Sequence, residues 1–165
     1  MDNFSLEFLT QCLFRIDENP PRIEKCLSLL SETEVWQRPN ESSNSIGNLM
    51  LHLCGNIRQY AISSLSGKDD SRQRDEEFTN RGSYSKSELL TKTKQTLLEA
   101  KTVIRYLDKE EWLEIRKVQG FNFSGIGILV HVVEHLSYHV GQIASATKAL
   151  KDKQLDFYSD LDLNI

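Results

Sequence analysis

Residues 124–143 read SGIGILVHVVEHLSYHVGQI, and this segment is the most informative in the chain. Its apolar residues recur every three or four positions, which is typical of an amphipathic helix. Ser124 is a favourable N-cap, so we predict a long helix that begins there and continues to about Leu150. Gly127 and His131 interrupt its apolar run, which is therefore shorter than the ~20 residues of a membrane span.

The same helical periodicity occurs in three earlier segments, at residues 6–30, 44–66 and 85–107. We expect the first to break and restart near Asn19, because Pro20 and Pro21 are tolerated only in a first helical turn. The second has Asn44 or Ser45 as its cap and Gly67 as its stop. Residues 85–88, Ser-Lys-Ser-Glu, match a capping box that opens the third.

Two connecting segments complete the fold prediction. Residues 68–83 are rich in charge, and we interpret them as a solvated loop long enough to cross the length of a bundle. Residues 114–123 alternate weakly between apolar and polar, which fits either a short hairpin or an extended connector. The predicted fold is an all-α four-helix bundle with a long crossover between helices two and three.

Composition limits the classes of function. The 165 residues are 39% hydrophobic and 27% charged, which predicts one folded domain over residues 1–165. A net charge of −4 without a basic stripe argues against nucleic-acid binding. The acidic start of the chain lacks a signal peptide, so we expect a cytoplasmic protein with no membrane association. Cys12, Cys26 and Cys54 are predicted to be buried, reduced thiols.

The four histidines are the candidate functional residues. His131, His135 and His139 follow one another at intervals of four, which places them on one side of the predicted last helix. Two imidazoles one turn apart can bind a divalent cation. His52 lies in an apolar stretch of the second helix, and it would complete a three-histidine site if these two helices are neighbours. Such a site leaves coordination positions for water or substrate.

Other interpretations of the histidines stay open. His131, Glu134 and His135 fit the pattern HxxEH of inverted zinc peptidases, in which Glu134 would be the general base. That class also needs a distant acidic ligand and a larger protein. Alternatively, the histidines of the last helix form a solvent-facing surface, and His52 is a hydrogen-bonded core residue.

Three segments together resemble the DinB-like superfamily, most closely its branch catalogued as a domain of unknown function. They are WxRPN from Trp36, SNSIGNLxLHLxGN from Ser43, and HVVEHxSYHxGQI from His131. The paired blocks, a histidine in helix two and HxxxHxxQ in helix four, carry the resemblance, which extends from Trp36 to Tyr158.

The resemblance implies a fold, a metal site and a chemistry. The family fold is a four-helix bundle with a long crossover, and its metal ligands match His52, His135 and His139 one for one. His131 then becomes an extra histidine that lines the pocket or lies behind the ligands. Related proteins carry zinc or nickel, and several form homodimers. Some transfer a low-molecular-weight thiol to a small-molecule substrate.

We therefore expect a metal-dependent thiol transferase, with a metal-dependent hydrolase or a non-enzymatic stress-response or binding protein as alternatives. Gln142 lies three residues after His139, and Asn48 and Asn56 lie one turn on either side of His52. Each of these amides is placed to orient a ligand or substrate, or else to form an interhelical hydrogen bond.

Overall fold

A computed structural model describes residues 2–162 and shows a mostly helical protein with one small β-hairpin. The helices are α1 (Asn3–Asp17), α2 (Asn19–Leu29), α3 (Glu32–Trp36), α4 (Ile46–Ile57), α5 (Ser64–Ser66), α6 (Arg74–Thr79), α7 (Lys86–Tyr106) and α8 (Gly125–Lys151). A π-helical turn, Arg58–Ser63, joins α4 to α5. Strands β1 (Ile115–Val118) and β2 (Phe121–Ser124) pair antiparallel, with Ile115 opposite Ser124.

The helix ends follow the local signals of the sequence. Ser45, Ser85 and Ser124 each accept a hydrogen bond from a backbone N–H of the first turn, as an N-cap does. Gly67 adopts φ +67°, a left-handed conformation that ends α5 at little steric cost. The predicted break near Asn19, within the first helical segment, is confirmed, since α1 ends at Asp17 and α2 starts with prolines in its first turn.

The core lies between α8 and α4. Helix α8 packs against α1, α2 and α4, while α4 also packs against α6 and α7. Ile128, Leu129 and Leu136 of α8 are fully buried, which confirms the apolar face predicted for this helix. Removing such surface from water is the main driving force for helix packing.

Three connecting segments contain secondary structure, which corrects the prediction for residues 68–83 and decides between the two alternatives for residues 114–123. Residues 68–83 are not wholly a solvated loop, because they contain α6, which packs against α4 and buries Glu77. The connector before α4 contains α3, whose Trp36 ring fills the space beside Gly47. Residues 115–124 form the hairpin that the alternation left open, so the protein is not purely helical.

Among residues 2–162, no helix combines the length and the hydropathy that crossing a bilayer requires.

An ion pair ties the end of α8 to the start of α3. Lys151 Nζ donates to both carboxylate oxygens of Glu34, at 2.7 and 2.8 Å, and Glu34 also closes a capping box with Ser31. These hydrogen bonds from Lys151 and Ser31 lower the pKa of Glu34 from 4.5 to about 2. Because the folded pKa is depressed, the carboxylate stabilises the fold above pH 4.5 and loses this effect as the pH falls toward 2.

Replacement Glu34→Gln is predicted to lower the urea midpoint of unfolding at pH 7, and the difference from wild type should close as the pH approaches 2. Glutamine still serves in a capping box, so the variant isolates the charge. The effect should be modest and should shrink in salt, since both side chains of the pair are partly exposed to solvent. Lys151→Met should give the same pH profile. A difference that stays constant between pH 7 and pH 2 would contradict this assignment.

Candidate metal centre

Three histidines from two packed helices converge at one point. His52 of α4 and His135 and His139 of α8 offer ligand atoms that all lie within 4.8 Å of one another. The Nε2 atoms of His52 and His135 are 3.0 Å apart. The ring centre of His139 lies 4.8 Å from that of His52 and 4.4 Å from that of His135. The expected contact between the second and last long helices is therefore present.

A buried carboxylate fixes the orientation of His52. Glu77 Oε2 lies 2.9 Å from His52 Nδ1, and both side chains are only 8% exposed. Arg72 donates from Nε to Glu77 Oε1 at 2.7 Å and from Nη2 to Oε2 at 2.8 Å. Arg72 Nη2 also lies 3.1 Å from His52 Nδ1, but its shorter hydrogen bond goes to Glu77 Oε2. A carboxylate only accepts hydrogen bonds, so we assign the proton to the Nδ1 atom of His52, which donates it to Glu77. The unprotonated Nε2 atom of His52 then faces the other two histidines.

The charges of this network balance. Arg72, whose side chain is 3% exposed, offsets the negative charge of Glu77. Burial alone would raise the pKa of Glu77, but the hydrogen bonds from Arg72 and His52 and their nearby charge outweigh burial and lower it. Glu77 is therefore ionised at neutral pH and remains a strong acceptor for the imidazole N–H.

Gly55 leaves the space that this carboxylate occupies. A Cβ atom at position 55 would lie 1.9 Å from Glu77 Oε1 and 3.0 Å from Arg72 Nε. Contacts this short are not tolerated, so only glycine allows Glu77 to approach α4 here. One turn of helix thus presents both His52 and the gap for the residue that orients it.

Asn48 holds the residue that orients His52, by hydrogen bonds to the backbone of α6 and of the residue after it. Its amide nitrogen donates to the carbonyl oxygens of Glu77, at 2.9 Å, and Asn80, at 3.0 Å, which holds the C-terminal end of α6 against α4. Arg38 adds a hydrogen bond to the carbonyl of Phe78 at 3.0 Å. Asn48 is thus placed to orient His52 indirectly, by positioning Glu77.

Gln142 orients His139 directly. Its Oε1 lies 2.7 Å from His139 Nδ1, and its amide nitrogen donates to the hydroxyl of Tyr138 at 3.3 Å. With the amide in this orientation, His139 Nδ1 carries the proton and Nε2 is the free lone pair. Two of the three imidazoles are therefore held in the tautomer that turns an unprotonated nitrogen toward the cluster.

The environment also disfavours the protonated forms of His135 and His139. Burial, together with the neighbouring histidines and Arg72, lowers the pKa of His135 to about 3. Burial likewise lowers the pKa of His139, against a hydrogen bond to Gln142 that raises it. Neutral imidazoles are the form that binds a cation.

The donor set fits a divalent transition metal. Zinc binds imidazole nitrogen at about 2.0–2.1 Å, and three histidines with an open position are a common catalytic arrangement. Among residues 2–162, no other histidine, cysteine, aspartate or glutamate joins the group. His52, His135 and His139 could therefore hold a metal ion and leave coordination positions for another molecule.

His131 lies outside the ligand group. Its Nε2 lies 3.3 Å from Asn56 Oδ1, and its ring stacks on that of Tyr60, with centres 4.0 Å apart. The HxxEH interpretation needs His131 as a ligand, so the geometry does not support it. Glu134, its supposed base, is exposed on α8. Asn56 is placed to orient His131 and not one of the three ligands.

The cysteines take no part in the cluster. Cys12, Cys26 and Cys54 are free and buried, as predicted. Burial raises the pKa of each thiol, so all three are poor nucleophiles and poor ligands.

Sequence reasoning missed Arg72 and Glu77, because they lie in the charged segment interpreted as solvated. The sequence signal that could have indicated a close contact here was Gly55, a glycine within the predicted helix three residues after His52. Both charged residues also border a cavity of about 260 Å³ between α4, α6 and α7, whose lining contains none of the four histidines.

Comparisons with known proteins agree with this architecture. A family described as "Protein of unknown function (DUF1572)" matches residues 3–160. The fold is similar to a DinB-like protein from Bacillus subtilis, with 18% identity, 90% of this chain and 96% of that chain covered, and a TM-score of 0.68. A DinB-like protein from Bacillus cereus matches with 13% identity over 87% and 90% of the two chains and a TM-score of 0.67.

A conserved protein from Enterococcus faecalis has a similar fold, with 16% identity, coverage of 87% and 97%, and a TM-score of 0.74. No curated protein matches the chain significantly.

Replacement Gly55→Ala should destabilise the protein by roughly 1–3 kcal/mol, as overpacking of a well-filled site does. The added methyl group must displace the Glu77 carboxylate, which Arg72 and His52 hold in place. Urea unfolding measures the loss. Gly141→Ala is the matched control, because no atom lies within 4 Å of the added Cβ atom. It should be neutral or stabilising by up to about 1 kcal/mol. Equal stability of the two variants would contradict the tight contact at position 55.

Proposed function

The chain belongs to the family described as a protein of unknown function (DUF1572), and its fold is that of DinB-like proteins. From this and from the site, we propose that it binds zinc or nickel through His52, His135 and His139 and is a metal-dependent enzyme. The proposed reaction transfers a low-molecular-weight thiol to a small-molecule substrate. One observation carries the proposal: three imidazoles converge with two of their N–H groups hydrogen-bonded away from the cluster, and among residues 2–162 no further histidine, cysteine, aspartate or glutamate joins them.

The residues around the histidines prepare the site for a second molecule. Glu77 and Gln142 hold the rings of His52 and His139, so little reorganisation is needed when a ligand arrives. Arg72 compensates the buried carboxylate and keeps the environment close to neutral. His135, half-buried, is the most accessible of the three rings.

A thiol suits this site better than a water molecule does. A bound divalent metal would supply Lewis acidity, which lowers the pKa of a coordinated thiol or water. Glu77 is engaged by Arg72 and His52 and Glu134 is exposed, so neither is placed as a general base for water. A thiol, with an ordinary pKa of about 8.5, needs less assistance to ionise.

The proposed reaction is a substitution. The thiol loses its proton to solvent, its sulfur forms a bond to an electrophilic carbon of the substrate, and the leaving group departs with its electron pair. A metal-dependent hydrolase remains the alternative enzyme. A stress-response or binding protein that holds the metal without turnover is the alternative from another class.

The arrangement of the long helices is a further part of the proposal. We propose that α1 with α2, α4, α7 and α8 are the four members of a bundle, and that residues 68–83 cross between its second and third members. The packing of α2 on α8 and α7, and of α4 on α7 and α8, supports this arrangement. A homodimer is a further prediction of the resemblance, and a cytoplasmic location is a further prediction of the sequence.

Metal analysis of purified variants tests the ligand set. His135→Ala and His139→Ala should each abolish stoichiometric metal, because two imidazoles leave a weak site. His131→Ala is the matched control on the same helix and should retain the metal. Loss of metal in His131→Ala alone, with His139→Ala still loaded, would overturn the assignment.

Cobalt substitution tests the use of a thiol. Cobalt-loaded protein titrated with low-molecular-weight thiols should develop thiolate-to-cobalt charge-transfer absorption, because the proposed site has an open position. His139→Ala should show neither cobalt uptake nor the new absorption. If the cobalt protein gives no such absorption with any candidate thiol, thiol transfer is wrong and the hydrolase alternative gains support.

A further inference from the structure

His131 has a place in the structure that metal binding does not explain. Its ring stacks on the ligand His135, with centres 5.1 Å apart and planes 23° apart. It also stacks on Tyr60, at 4.0 Å and 25°. Three rings therefore form a continuous column that begins at a metal ligand and extends away from it.

The π-helical turn Arg58–Ser63 carries Tyr60 into this column. A π-helical turn changes the direction in which the following side chains point, and such turns are frequent at functional sites. The hydroxyl of Tyr60 donates to Gln119 Oε1 at 3.0 Å. Gln119 lies in the turn between β1 and β2, so this bond fixes the hairpin beside the column.

The hairpin adds two phenylalanines on the same side. The register pairs Phe121 with Val118 and Phe123 with Arg116, which places Phe121 and Phe123 on one face of the hairpin. The ring of Phe123 lies 6.3 Å from those of His131 and Tyr60. Phe121 is 5.9 Å from Phe123 and remains 59% exposed.

We propose that Phe121, Phe123 and the uncovered edge of His131, here called the aromatic wall, bind an aromatic group of the small molecule that occupies the metal site. Tyr60 is only 2% exposed, so it supports His131 and does not contact the bound molecule. From His135 the wall extends through ring spacings of 5.1, 6.3 and 5.9 Å, so the molecule has to be long enough to reach from the metal to Phe121. Planar aromatic groups gain from offset or edge contacts with such rings beyond the area they bury. The inference rests on the proposed function and specifies its substrate class.

Packing of the hairpin does not account for Phe121. Tyr60, Val118 and Phe123 already hold the hairpin against the helices, while most of the Phe121 ring stays in water. The Phe121 ring is exposed and continues the column of rings that starts at His135. It is therefore placed to contact a bound small molecule and not to pack in the core.

The test compares two probes that coordinate the metal alike but differ in size. Cobalt-loaded protein is titrated with imidazole and with 4-(biphenyl-4-yl)imidazole, whose second phenyl ring extends toward Phe121, and the cobalt absorption reports binding. Wild type should bind the biphenyl probe about tenfold more tightly than imidazole, since a ring contact contributes roughly one such factor. Phe121→Ser should reduce this preference by about threefold and leave the affinity for imidazole unchanged.

Phe14→Ser is the matched control, because Phe14 is 54% exposed and makes no ring contact with a histidine. It should keep the full preference of wild type. Equal affinities for the two probes in wild type, or a preference that survives in Phe121→Ser, would overturn the inference while leaving the metal site intact. Failure to take up cobalt at all would overturn the proposed function and this inference together.

Discussion

The hydrogen bond from His52 to Glu77 is the interaction on which the rest of the site depends. It requires an ionised carboxylate beside the imidazole inside the protein, and that carboxylate is held there by two hydrogen bonds from Arg72. The close approach of Glu77 to α4 in turn requires Gly55. A buried ion pair of this kind adds little net stability, because desolvation costs nearly as much as the attraction returns. Its effect is on geometry, since it leaves His52 one orientation and one tautomer.

This dependence gives the charged crossover a structural role. The segment between α5 and α7 carries Arg72 and Glu77 to the cluster, and Asn48 and Arg38 hold the end of α6 in position. The three histidines come from only two helices, but their orientation depends on a third part of the chain. The geometry of the histidine cluster is thereby coupled to the docking of a short helix, whose own six residues could not form a stable helix alone.

The site also has two sides with different chemistry. On one side, the carboxylate and the amide of Gln142 hold the imidazole N–H groups and favour cation binding. On the other side, the ring of His131 begins an aromatic column that the π-helical turn and the hairpin extend. Polar groups that fix a reactive centre next to apolar rings that exclude water are the usual composition of a small-molecule site.

Much of this protein could be predicted from the sequence, because the signals are local. Serine caps, the proline break and the apolar periodicity of α8 depend on residues a few positions apart, and they located the long helices. The i, i+4 spacing likewise placed His135 and His139 on one face, and the resemblance selected His52 as their partner. Local signals could not show that residues 68–83 fold back onto α4, since their charges look the same in a solvated loop.

Only the tertiary structure decided which charges are buried, that Glu77 occupies the gap at Gly55, and that His131 stacks on Tyr60 outside the ligand group. These features are contacts between residues far apart in the chain. Their free energy depends on burial and on the distance between groups, and neither quantity can be obtained from the order of the residues alone.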